Sequence, residues 1–270
     1  MNVYGEMFLG TPSITVKAKV RKLNTYENLD RTVEEEVAVD GPVEIVLNGK
    51  IVSTLMATPA LFEELAIGFL LGEGIVEDRK DLVSVRCLGR SVDVKAEKTG
   101  VHFDDSNNRR LILTSCGFSV YSGALEDVAW PKIHSDLKIR AGEISDVMRK
   151  LSESSVQFLK SGATHSAAIF QNGDLKAFAE DVGRHNAIDK VVGLSVMQGL
   201  ELSEAVLATT GRQPADLVLK AARVGIPVSV SMRGPIYSGI MAAERVGLTL
   251  ICFARGPRMN VYTHPERIVL

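Results

Sequence analysis

Apolar and polar positions change rhythm part-way along this chain. Before residue 114 the apolar residues gather in short runs broken by turn-forming dipeptides, and from residue 144 onward such runs alternate with segments of helical period. Residues 43–47 and 51–55 read as the arms of a hairpin around Asn48-Gly49, the pair that a tight turn favours. Thr58-Pro59 predicts a helix start, with threonine as N-cap, proline at the first helical position and Glu63-Glu64 near the first turn. Leu61, Leu65, Ile67 and Phe69 carry that helix to an end between Gly72 and Gly74. Residues 83–94 and 101–113 read as further strands, with the polar run from Asp104 to Arg110 as an exposed turn. The first 35 residues are charged and weakly periodic, with clusters at Arg21-Lys22 and Glu34-Glu35-Glu36, and support no assignment.

In the second part, Ile144, Val147, Leu151 and Phe158 predict one amphipathic helix over residues 144–159. Strands are expected at 166–170, 175–179, 205–209, 227–231 and 249–253, and helices at 184–198, 215–224 and 236–246. Gly211, Gly225, Gly234 and Gly247 mark the joints. Such alternation argues for a layered α/β domain of parallel strands flanked by helices. The expected organisation is a smaller N-terminal α+β domain (1–115), a cysteine loop and linker interrupted by Pro131 (116–141), and the C-terminal α/β domain (142–270). No internal repeat or low-complexity tract is visible.

Composition narrows the function classes. Hydrophobic residues make up 46% and charged residues 24%, as in an ordinary soluble globular protein. A net charge of −2 provides no global drive toward nucleic acid or an acidic membrane, so anion binding must come from a local patch. The start Met1-Asn2-Val3-Tyr4-Gly5-Glu6 lacks a signal-peptide pattern and no run is long enough to span a membrane, so a cytoplasmic location is expected. Three cysteines at wide spacing suggest neither a disulfide framework nor a closed zinc site. An H-x-E motif with a P-C-x-x-C partner, the ligand set of the zinc deaminases, does not occur.

Five segments could carry chemistry. Cys116 lies in Ser115-Cys116-Gly117 after an apolar run, where a glycine turn can present a thiol for attack or sulfur carriage; Cys87 and Cys252 sit in apolar runs and read as core residues. Glu180-Asp181-Val182-Gly183-Arg184-His185-Asn186 lies between a strand and a helix, with the two acids facing the helix start and Arg184 and His185 able to hold an anion. A capping network, with Arg184 paired to those acids, is the bland alternative. Thr209-Thr210-Gly211-Arg212 and Ser231-Met232-Arg233-Gly234-Pro235 end adjacent expected strands, and two such turns would converge on one crevice able to cradle phosphate. Phe253-Ala254-Arg255-Gly256-Pro257-Arg258 combines guanidinium groups for phosphates with an aromatic for a base; a solvated tail with Tyr262 tucked against the sheet is the bland alternative. His165 is as readily a buried hydrogen-bonded residue as a catalytic one, and His102 and His134 are expected at the surface.

Together these residues resemble the FdhD family of formate dehydrogenase accessory sulfurtransferases. The resemblance spans residues 42–268 and rests on Asn48-Gly49, Thr58-Pro59, Gly68-Phe69-Leu70 with Glu73-Gly74, Ser115-Cys116-Gly117 and Thr164-His165. It continues through the run from Glu180 to Ala187 with Asp189-Lys190, Lys220-Ala221-Ala222-Arg223, and the ending from Phe253 through Tyr262 to Arg267. It implies a sulfur carrier that takes sulfur from a cysteine desulfurase as a persulfide on Cys116 and passes it to the molybdenum (or tungsten) bis(molybdopterin guanine dinucleotide) cofactor of formate dehydrogenase. It further implies cofactor binding by residues 253–258, a C-terminal domain like the cytidine deaminase fold without its zinc, and a homodimer. The residues expected to hold the cofactor are Phe253, Ala254, Arg255, Gly256, Pro257, Arg258, Gly211, Arg212, Arg184 and His185, with no metal of the protein's own. Where the family commonly has C-x-x-C, this chain has Ser119 in the second place; Gln213-Pro214-Ala215-Asp216 and Arg233-Gly234-Pro235-Ile236 also depart from the usual pattern. A nucleotide-binding chaperone without sulfur transfer is the alternative, and a cysteine hydrolase using His185 or His165 is a third possibility.

Overall fold

Two sheets with helices packed between them organise the chain, whose computed structural model describes residues 14–100 and 130–270. The first is four-stranded, in the order β4-β3-β6-β5, with β3 (Gly41–Leu47), β4 (Lys50–Ala57), β5 (Leu82–Leu88) and β6 (Ser91–Ala96). The hairpin of β3 and β4 turns at Asn48-Gly49 as the sequence predicts, with both residues at positive φ (49° and 79°), and the Asn48 side chain exchanges two 3.0 Å hydrogen bonds with the backbone of Ala96. The charged N-terminal stretch also forms a hairpin, β1 (Thr15–Asn24) and β2 (Leu29–Ala38), paired in unbroken antiparallel register. Its alternation was masked because both faces carry charge, and cross-strand pairs such as Arg21–Asp30 (2.6 Å) replace an apolar face.

Helix α1 (Phe62–Gly72) covers the four-stranded sheet. It starts three residues later than Thr58-Pro59 predicts: Leu61, in the left-handed conformation (φ 57°), precedes it, and no side chain caps it. Thr58 is instead committed to the other half of the chain. Its hydroxyl accepts from the Val182 amide (3.1 Å) and its own amide donates to Asp181 (3.0 Å). From Leu65 to Gly72 every residue of α1 is buried, as befits a helix covered on all sides.

The second sheet is six-stranded, in the order β13-β12-β11-β10-β8-β9. Strands β10 (Val206–Thr209), β11 (Val228–Ser231) and β12 (Thr249–Arg255) are parallel, as expected. The expectation of an all-parallel sheet fails elsewhere. Strands β8 (His165–Gln171) and β9 (Asp174–Asp181) are joined by Asn172-Gly173, a turn too short for a parallel crossover, and pair antiparallel. Strand β13 (Arg258–Val261) folds back on β12. Helices α4 (Arg184–Met197), α5 (Ala215–Arg223) and α6 (Tyr237–Val246) bury one sheet face through Ile169, Leu207 and Leu250; α2 (Ala141–Ser154) buries the other through Phe170, Val206 and Ile251. The short strands β7 (Ile139–Arg140) and β14 (Ile268–Val269) pair beside α2.

The single helix expected over 144–159 is two. A break at Ser155 separates α2 from α3 (Val156–Ser161), because Glu180 of β9 accepts the Gln157 and Phe158 amides (2.8 Å each) and restarts the helix in a new direction. Phe158 therefore lies exposed rather than in the core. At the centre of the molecule α1 packs on α4 with almost no gap. A Cβ at Gly68 would overlap the Asp189 carbonyl, and one at Gly193 the Glu64 carbonyl, so glycine is required at both crossings. Among the described residues no helix is long and apolar enough to cross a membrane.

Candidate functional site

The strand registers bring the candidate segments to one end of the six-stranded sheet. Thr209 pairs with Ser231 on one side and Ala167 on the other, and His165 pairs with Asp181, so the ends of β9, β10 and β11 and the start of β8 lie together. The end of β12 joins them through the parallel ladder. This is the carboxyl edge of the parallel strands, where open α/β sheets hold ligands.

The turns there are knitted to one another. Ser231 Oγ donates to the Gly211 carbonyl (2.6 Å), Met232 N to the Thr209 carbonyl (3.2 Å) and Gln213 N to the Gly234 carbonyl (3.2 Å). The next turn is tied on by Phe253 N donating to the Arg233 carbonyl (3.1 Å) and Arg255 Nε to that of Met232 (3.3 Å). Phe253 has a φ of 54°, left-handed for a bulky residue, beside a bulge in β12. That backbone lays its ring over Gly234, where any Cβ would meet Cζ at 2.7 Å, and still leaves the ring 46% exposed. Arg212, Arg233, Arg255 and Arg258, in the turns at this sheet end, are exposed; among the described residues no carboxylate pairs with any of them.

His165 is half-buried beside this rim, its Nδ1 3.4 Å from Thr210 Oγ1. Burial, then the nearby charges of Arg184, Arg233, His185 and Arg212, push its pKa below the ordinary histidine value, so it stays neutral. His185 is more deeply placed. Its Nε2 lies 2.7 Å from Oδ2 of Asp216, and both residues are more than nine-tenths buried. Burial would raise the Asp216 pKa, but the bond and charge of His185 and the Leu217 amide hold it below the usual carboxylate range.

Behind the rim lies a dry set of paired charges. Asp181 has no exposed surface; Oδ1 accepts from Gly183 N (2.8 Å) and Asn186 Nδ2 (2.9 Å), and Oδ2 from Lys190 Nζ (2.6 Å) and Thr58 N. Lys190 also donates to the Thr58 carbonyl (2.9 Å); burial lowers its pKa against the pull of Asp181. The neighbouring residue of α4, Asp189, meets Lys220 of α5 (2.8 Å), which also meets Glu73 at the end of α1 (2.8 Å). Burial lifts the Asp189 pKa to about 6, while the two carboxylates outweigh burial at Lys220 and keep it protonated.

Of the expected cofactor-binding residues, Gly211, Arg212, Arg184, His185 and the 253–258 segment therefore gather at one sheet end. Of the two acids, Asp181 does face the start of α4 and pairs with Lys190, while Glu180 serves α3. Cys252 is buried as expected and its thiol is pushed up to about 12 by burial. Cys87 is exposed, not core: it sits on β5, the edge strand, where its amide donates to Glu63 (2.9 Å) and its thiol to the Gly89 carbonyl (3.6 Å). His134 is exposed as expected, and Tyr262 packs half-buried on the core. Cys116, Ser119, His102 and the strand expected over 101–113 lie outside the described residues. Asp216 and Lys220 were missed as site-forming residues; their spacing of four, matching that of His185 and Asp189, is the signal that could have paired the two helices.

Comparison with known proteins places this arrangement. The FdhD/NarQ family model matches residues 38–269. The sulfur carrier protein FdhD of Methanothermobacter thermautotrophicus is 37% identical over 239 residues, covering 88% of this chain and 94% of that protein. The Bacillus subtilis protein of the same name is 33% identical, covering 92% and 97%. A crystal structure from Desulfotalea psychrophila, designated a formate dehydrogenase accessory protein, superposes with a TM-score of 0.79 at 28% identity over 95% of this chain and 100% of that one. With a match over nearly its whole length and relatives above 30% identity, this chain belongs to the FdhD/NarQ family.

Proposed function

We propose that this chain carries sulfur from a cysteine desulfurase to the molybdenum or tungsten bis(molybdopterin guanine dinucleotide) cofactor of a formate dehydrogenase. Cys116 is the carrier thiol and the knitted sheet end is the seat of the nucleotide part. The reading is supported chiefly by one juxtaposition: an exposed aromatic ring at Phe253, in a turn tied to those that carry the exposed Arg212, Arg233 and Arg255, at the starts of two helices. Guanidinium groups and helix N-termini suit phosphates, and an aromatic face suits a purine.

In the carrier step, the Cys116 thiolate attacks the outer sulfur of the desulfurase persulfide. The donor S–S bond breaks, a new one forms on Cys116, and the donor cysteine leaves as thiolate. Handing the outer sulfur on as sulfide takes two electrons. A second thiol supplies them by attacking the inner sulfur and leaving a mixed disulfide; with serine at 119, that thiol comes from outside the motif.

Incubation with cysteine and a desulfurase is expected to add one sulfur atom to Cys116, seen by peptide mass spectrometry and lost in Cys116→Ala. No addition, with the donor shown competent on another acceptor, sinks the carrier reading. Binding of GDP that survives Cys116→Ala would then leave a nucleotide-binding chaperone.

A further inference from the structure

The turn after β10 carries Arg212 and the turn after β11 carries Arg233. Most of the backbone amides in these turns are already spent. Thr210 N donates to the Ser166 carbonyl (3.0 Å) and Gly211 N to Thr209 Oγ1 (3.2 Å), while Gln213 N and Met232 N serve the Gly234 and Thr209 carbonyls. An anion arriving here therefore depends on side chains, and above all on where the two guanidinium groups stand.

One hydroxyl joins the two arginines. Ser231 Oγ accepts from the Arg233 amide (3.0 Å) and donates to the Gly211 carbonyl (2.6 Å), which belongs to the peptide unit leading into Arg212. Gln213 Nε2 donates to the same carbonyl (3.2 Å), and its Oε1 accepts from Ser229 Oγ of β11 (3.2 Å). Ser231 and Gln213 are both buried, so water does not compete for these bonds. What this framework holds together repels itself. The charges of Arg212 and Arg233 both bear on His165, and among the described residues no carboxylate pairs with either arginine. Like charges kept close tend to splay apart, a tie between their backbones resists that, and an anion relieves the repulsion.

We propose that Ser231 and Gln213 are positioning residues that hold Arg212 and Arg233 at one spacing, so that both guanidinium groups close on the same diphosphate. The inference rests on the nucleotide reading given above and adds to it the groups that preset the anion's seat. Fixing the two cations before the ligand arrives removes part of the ordering cost of binding.

The test is calorimetric titration of the whole chain with GDP at about 50 mM and about 500 mM KCl, since salt screens the attraction between guanidinium and phosphate. Ser231→Ala is expected to weaken GDP binding about fivefold in the lower salt, the size of one lost hydrogen bond. It is also expected to lose less affinity than wild type on moving to the higher salt, because fewer guanidinium groups then engage the phosphates. A purely structural role would lower the urea midpoint and leave that salt response as it is. Unchanged affinity in Ser231→Ala, or weakened affinity with the wild-type salt response, overturns the inference and leaves the nucleotide reading standing. Should circular dichroism show Ser231→Ala unfolded, Gln213→Met decides the matter. About a twofold loss with a reduced salt response is then expected, and a wild-type salt response overturns the inference. No GDP binding by the wild type overturns the nucleotide reading itself, and this inference with it.

Discussion

The seam between α1 and the helices α4 and α5 and the rim of the six-stranded sheet are both rich in charge, yet they use it in opposite ways. In the seam each charge meets its complement directly and away from solvent: Asp181 with Lys190, and Lys220 with both Asp189 and Glu73. At the rim Arg212, Arg233, Arg255 and Arg258 stand in solvent with no carboxylate opposite among the described residues. Burial explains the contrast. A buried ion without a partner costs several kcal/mol, so the seam must be saturated, whereas solvent lets the rim keep an excess of one sign for a ligand. Density of charged residues alone does not mark a binding site; the sign left over does.

Breaking the seam should have the largest effect. Lys190→Met strands Asp181 in the interior and is expected to cost about 3–5 kcal/mol, read as a lowered urea midpoint. A loss below about 1 kcal/mol would mean that the seam is wetter than its geometry implies. At the rim the order of effects reverses. Arg233→Ser with Arg255→Ser is expected to weaken GDP binding by about 1.5–3 kcal/mol, roughly tenfold or more, while stability stays within about 0.5 kcal/mol. If the pair instead lowers stability as much as Lys190→Met does, the distinction between seam and rim is wrong.

The smallest effect belongs to His165, which stands where the rim begins to be buried. Its pKa is lower folded than unfolded, so between those values the unfolded chain binds the extra proton. Its contribution to stability is therefore present above the unfolded value near pH 6.5 and lost as pH falls below it. His165→Gln should flatten the fall in urea midpoint between pH 7.5 and pH 5.5. An unchanged slope would show that His165 is better hydrated, and the cations around it better screened, than their positions imply.

Much of the second sheet was legible because its elements announce themselves locally. Short apolar runs between glycine joints are strands whatever they pair with, and the turns after β10 and β11 share an edge once those strands are parallel. What the pattern hid depended on distant residues. Thr58-Pro59 looks like a cap, but the Thr58 hydroxyl is taken by an amide 124 residues away. The helix from Ile144 reads as continuous, and only the carboxylate of Glu180, from another strand, breaks it. Asp189 and Lys190 lie side by side in sequence, yet they serve two different ion pairs on two sides of one helix. The match of α1 to α4 at Gly68 and Gly193 is equally silent in the sequence, since a glycine within a helix reads as a weakness until its neighbour is known.

The left-handed backbone at Phe253 has a bearing on how this protein can be engineered. Glycine or asparagine would relax that conformation, which costs a bulky side chain about 1–3 kcal/mol. A library at this position selected only for heat resistance would therefore drift toward those two residues and discard the ring that the strain displays. Thermal hardiness and ligand capture pull against each other there. Stabilising the chain is safer away from this turn, at the ten-residue strands of the N-terminal hairpin.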